Sequence, residues 1–144
     1  ANMLSGFVES TSSCTSEHSL EHALSAFHPE LPHGAGLTML SVAYFGFFLD
    51  RIPGHLFENM ARAMGENVDA LPAGERPAAF IAALKKLIAA CGLDTLKMSD
   101  YGVRREEIPA LAQNARATMG GLFEVDRYTL SLEDTVTIFE NAYR

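Results

Sequence analysis

The sequence predicts an all-α fold, a helical bundle of about six helices, and three observations carry that expectation. Apolar residues recur at three- and four-residue spacing along most of the 144 positions. No two alternating runs joined by a tight turn mark a strand pair. Prolines and glycines close most of the periodic stretches.

Taken in order, Ser10 to Ser13 supply an N-terminal cap for a first helix carrying His18, Leu20, His22, Leu24 and Phe27. Pro29 and Pro32 end it, because proline lacks an N–H and restricts its predecessor. A second helix runs from about Gly34 to Leu49 and is apolar on nearly every side, the pattern of a buried central helix. Arg51-Ile52-Pro53-Gly54 breaks the chain. Leu56, Phe57, Met60, Ala63 and Met64 mark a third helix, closed by Gly65 as a left-handed cap.

Leu71-Pro72-Ala73-Gly74 is a loop, and Pro77 stands where a fourth helix opens. Phe80, Ile81, Leu84, Leu87 and Ile88 repeat along it as far as the Gly92 stop. After a turn at Ser99 to Gly102, a fifth helix spans Arg105 to Met119, with Ile108, Leu111, Ala112 and Ala115 inward and Gly120-Gly121 as its end. Ser131-Leu132-Glu133-Asp134 has the form of a capping box and starts the sixth, which carries Val136, Ile138, Phe139 and Tyr143.

A chain of this length is expected to form one domain over residues 1–144, burying about two thirds of the surface its unfolded form exposes. The formal charge of −7, with no basic stripe, argues against a nucleic-acid partner or an anionic membrane surface. The longest apolar stretch, Leu37 to Leu49, is thirteen residues, short of the roughly 20 a bilayer span requires. Cys14 and Cys91 are 77 positions apart without C-x-x-C spacing, and the first residues do not resemble the positive-then-apolar pattern of a signal peptide. A reducing, cytoplasmic location is therefore expected.

Histidine distribution carries the functional signal. Four of the five histidines, His18, His22, His28 and His33, fall within sixteen residues, among Glu17, Glu21 and Glu30. Imidazole both ligates transition metals and moves protons near neutral pH. His18 and His22, four apart, share one helix face, and His33 follows a proline-rich turn that folds it back. One reading is a zinc-dependent hydrolase or protease: His18-Ser19-Leu20-Glu21-His22 matches H-x-x-E-H, with two zinc ligands and Glu21 as base. Its third ligand would come from Glu106, Glu107 or Glu124. A helical interaction module without catalysis is a third class.

The whole tract supports a different reading. E-H-x-x-E-H-A-L-S-A-x-H-x-x-L-P-H-G-A-G, then a long apolar helix and an A-R-A-M-G helix end, resembles the C-terminal helical domain of the iron-containing (group III) alcohol dehydrogenases. Ile81 to Gly92, Ile108 to Ala117 and Ser131 to Asp134 extend the likeness over essentially the whole chain. The resemblance implies the helical metal-binding domain of a dehydroquinate synthase-like fold, acting on a small-molecule alcohol or aldehyde. It implies a divalent metal, iron first and zinc or nickel as alternatives, held by His18 and His33 with an Asp and a His from upstream segments. His22 matches a catalytic histidine beside nicotinamide and substrate; His28 has no matching role.

In that family NAD or NADP is bound mainly by an N-terminal α/β domain. Gly34-Ala35-Gly36 gives only G-x-G, with Met39 in place of a third glycine and no strand before it. The expectation is therefore the C-terminal part of a longer polypeptide, with Ala1 a cloning remnant, the chain's own N-terminal domain as partner, and a homo-oligomer compatible. Alone, it is expected to be inactive and to bind metal poorly, two of four ligands remaining. Phe7 to Cys14 and Val125-Asp126-Arg127 depart from the family's pattern, and both approach its substrate pocket. Glu17 and Glu21 either orient imidazoles or lie solvated on the helix face.

Overall fold

The computed structural model describes residues 2–144, and the described residues form seven α-helices linked by loops and single 3-10 turns. They are α1 (Asn2–Thr11), α2 (Ser16–Phe27), α3 (His33–Phe48), α4 (His55–Ala63), α5 (Ala78–Ala90), α6 (Ile108–Met119) and α7 (Leu132–Ala142). The expected all-α class is what the chain adopts; α1 is the helix in excess of the expected six.

The punctuation behaves largely as its chemistry dictates. Gly65, Gly92 and Gly102 take positive φ (90°, 71° and 80°) and end α4, α5 and the turn after Lys97, a conformation that a Cβ would strain. Ser131 caps α7: its side chain accepts from the Asp134 N–H at 3.0 Å while the Asp134 carboxylate accepts from the Ser131 N–H at 2.8 Å. Gly120 is different. Its φ is −58°, so it continues from α6 into a 3-10 turn over Gly120–Glu124 instead of reversing the chain.

The long apolar helix α3 is the hub. No position from 35 to 49 along it is exposed, because α2, α5 and α7 pack around it. On α2, Leu20, Ala23 and Leu24 are fully buried against α3 and α6, leaving His18 and His22 on the opposite face. Ile108, Leu111, Ala112 and Ala115 point inward from α6 as their spacing requires. Leu87, expected in the buried stripe of α5, is half exposed; Ala79, Phe80 and Ala83 form the buried face.

The first helix stands apart from this packing. Residues 3 to 13 are all exposed, and Met3, Leu4, Phe7 and Val8 turn large apolar side chains outward. The N-cap position of α2 is Thr15, not Ser10 to Ser13, and its side chain makes no capping hydrogen bond. No helix among the described residues is long and apolar enough to cross a membrane.

Candidate metal centre

Two local features bring the histidines together. The helical period stacks His18 and His22 one turn apart on α2. Pro29 and Pro32 then turn the chain, and Pro32, extended at φ −64° and ψ 133°, caps α3 so that His33 is its first residue. His33 lands beside both earlier rings: its centroid lies 5.3 Å from that of His18 and 5.4 Å from that of His22. One ligand-capable nitrogen from each of the three lies within 4.8 Å of the others. The donors line a cavity of about 380 Å³, with Glu9, Cys14, Met119 and Leu122 among the other wall residues.

His28 does not join them. Its Nε2 lies 3.1 Å from Glu107 Oε2, in the loop that leads to α6. His55 is exposed at the start of α4.

The cavity favours the neutral form of His18. Burial holds His18 below its ordinary value near 6.5, and repulsion from His33 and His22 lowers it further, against a weaker pull upward from Glu21 and Glu9. A neutral ring keeps the lone pair that a metal requires. The Cys14 thiol is raised by burial and by Glu9, to which it donates at 3.6 Å, so it stays protonated. Three imidazole nitrogens in one concave spot suit a divalent first-row ion, and that donor set does not separate iron from zinc or nickel.

Neither acidic neighbour on α2 is a solvated surface group. Glu21 is fully buried, in contact with His33 Nδ1 and accepting from Ser25 Oγ at 2.6 Å. Glu17 is buried against α3, accepting from Ser41 Oγ at 2.7 Å, and burial pushes its carboxyl up to about 7. This placement removes the physical basis of the H-x-x-E-H reading. A base activating water between His18 and His22 must reach the cavity, whereas both oxygens of Glu21 are engaged within the protein. Glu106, Glu107 and Glu124 do not line the cavity either, and Glu107 is held by Arg104 and His28.

The start of α2 is fixed from far along the chain. Asp126 Oδ1 accepts from the Ser16 N–H at 3.2 Å and Oδ2 from Ser16 Oγ at 2.5 Å; the buried Tyr44 hydroxyl donates to Oδ1 at 2.9 Å. Ser19 Oγ donates to the Met119 carbonyl at 2.9 Å, bringing the end of α6 to the cavity wall. Met119 and Leu122 were not marked in the sequence as wall residues, whereas Glu9 falls within the Phe7 to Cys14 stretch that was. Cys14 ends that stretch, which the resemblance sets near the substrate pocket.

Solved structures define the class first: the fold is that of alcohol dehydrogenases. An alcohol dehydrogenase from Oenococcus oeni superposes with a TM-score of 0.83 at 28% identity, over 98% of this chain and 36% of that one. One from an archaeal halo-thermophilic source in a Red Sea brine pool gives 0.82 at 27%, over 95% and 34%. The chain belongs to the Fe-containing alcohol dehydrogenase family, whose C-terminal model matches residues 1–143. Among curated relatives, the lactaldehyde reductase of Escherichia coli is 32% identical over 129 residues, 88% of this chain and 32% of that protein. The chain thus spans about a third of the length of such relatives.

Proposed function

We propose that this chain is the catalytic-metal domain of an enzyme that interconverts an alcohol and an aldehyde or ketone by hydride exchange with NAD or NADP. The observation that carries the reading is the convergence of His18, His22 and His33 in a chain of this family. His18 and His33 are the metal ligands from this chain, iron first and zinc or nickel accepted, with the remaining ligands from an upstream segment. When bound, the ion supplies Lewis acidity to the substrate oxygen.

The residues of the chain supply the rest. His22 is exposed and its ring lies edge-on to that of His33. It accepts a proton at a ring nitrogen during alcohol oxidation and returns it during aldehyde reduction. Met119 and Leu122 are the apolar wall that limits water at the reacting centre. The nicotinamide cofactor is held mainly by an α/β domain outside this chain. The names of the relatives, a lactaldehyde reductase and a long-chain primary alcohol dehydrogenase of Thermoanaerobacter ethanolicus, support an alcohol and its aldehyde as the substrate class. Two free thiols fit a cytoplasmic setting.

The test is metal content and nicotinamide-linked turnover in the polypeptide that joins this chain to its cofactor domain. His18→Ala and His33→Ala each lose metal and turnover together. His22→Ala keeps the metal and slows turnover by roughly 10²–10⁴-fold. Full metal occupancy in both of the first two variants would sink the ligand assignment.

A further inference from the structure

We infer that Glu21 is a positioning residue, which holds His33 as the Nδ1–H tautomer and so fixes Nε2 as the nitrogen presented to the cavity. The inference rests on the reading of His33 as a metal ligand, and it concerns how that ring is set.

The observations start with burial. Glu21 is fully buried, and a carboxylate removed from water needs donors on its oxygens. Ser25, one turn later on α2, donates to Oε1 at 2.6 Å, and His33 Nδ1 meets Oε2. An ionised carboxylate only accepts, so the shared proton belongs to Nδ1 and the lone pair of the ring is on Nε2. Among the described residues, His33 is the one imidazole of the three with a carboxylate on its ring. His18 and His22 have the helix and the neighbouring His33 ring, and no carboxylate among the described residues, to orient them.

The backbone around Glu21 is adapted to it. A Cβ on Gly36 would sit 2.8 Å from both Cγ and Oε1 of Glu21 and 3.2 Å from Cδ. Every atom in that close shell belongs to Glu21, so the first turn of α3 lacks a side chain there because this carboxylate occupies the space. Glycine at 36 and glutamate at 21 thus act as one device that docks the first turn of α3 onto α2 with the His33 ring in one orientation. Outer-shell carboxylates that fix a ligand's tautomer in this way typically change metal affinity about 10–100-fold when lost.

The test uses the polypeptide that joins this chain to its cofactor domain and upstream ligands, at one pH, with Zn(II) alone as the probe. Two-bond proton–nitrogen NMR correlations on histidine-labelled, metal-free protein report the tautomer of each ring, and a competition titration reports the zinc affinity. Wild type shows His33 as a single Nδ1–H tautomer. Glu21→Leu, which keeps bulk and removes the acceptor, gives a mixed tautomer and zinc binding weaker by about 10–100-fold. Glu21→Gln, which retains an acceptor oxygen, recovers the tautomer and most of the affinity. Gly36→Ala displaces the carboxylate without altering it and reproduces the Glu21→Leu spectrum, which covers the case in which the leucine variant fails to fold. A wild-type His33 found protonated at Nε2 overturns the inference whatever the variants do. So does a Glu21→Leu protein that melts earlier yet keeps tautomer and zinc affinity, since Glu21 would then be a packing residue only. Wild type that shows the Nδ1–H tautomer but binds no zinc supports the role of Glu21 and removes the metal reading instead.

Discussion

Glu17→Gln should flatten part of the pH dependence of folding stability, by an amount the structure sets. Glu17 lies buried between α2 and α3 with Ser41 Oγ as its donor, and burial lifts its carboxyl from an ordinary value of 4.5 to about 7. The folded chain therefore holds this proton over a range in which the unfolded chain has released it. With more protons on the folded side, stability falls as pH rises. The contribution is fully present below about pH 4.5, shrinks through the interval up to about 7, and is flat above it.

A displacement of that width corresponds to about 3 kcal/mol at roughly 1.4 kcal/mol per pH unit. Glu17 also stands in the first turn of α2, where the helix dipole favours its charged form by roughly 0.3–1 kcal/mol. Desolvation wins, and the net effect is about 2–3 kcal/mol. Glutamine keeps an acceptor for Ser41 and has no proton to lose. Urea unfolding followed by circular dichroism, in chelator at pH 5 and pH 8, measures both proteins. The wild-type minus variant difference should become more unfavourable to wild type by that amount between the two pH values. Parallel curves for the two proteins would refute the reasoning.

Two further outcomes are expected. Asp126→Ala strands the Ser16 N–H and leaves the Tyr44 hydroxyl with Ser16 Oγ as its remaining partner, at a cost of about 1–3 kcal/mol; amide exchange at Ser16 to His18 should accelerate beyond the rest of α2, and uniform acceleration would contradict a local anchor. Ser131→Ala removes the capping box of α7 and should lower stability by about 1 kcal/mol, read as a shifted urea midpoint with unchanged slope.

What the sequence disclosed was governed by local rules. Pro29 and Pro32, the positive-φ glycines at 65 and 92 and the Ser131–Asp134 box each act within a few residues, and each delimits the helix expected of it. The convergence of His18, His22 and His33 was legible for the same reason: a helical repeat and a short turn suffice to produce it. Long-range arrangements were not legible. Ser16 is capped by Asp126 from 110 positions away, and His28 is claimed by Glu107 from 79 positions away. Glu17 and Glu21 read equally well as solvated carboxylates, because only the placement of α3 over α2 decides that they are enclosed. The helix α1 was missed since its apolar residues face water, so the usual link between periodicity and burial gives no guide.

That outward-facing first helix sets the conditions under which the molecule stays dispersed. Met3, Leu4, Phe7 and Val8 are each 63–74% exposed and fall on neighbouring turns, so they form one oily strip on a chain of net charge −7. Sulfate and similar salts screen the repulsion and strengthen apolar burial at once. They will bring such strips together at concentrations the remaining surface tolerates, while dilute, low-salt solution keeps the molecules separate.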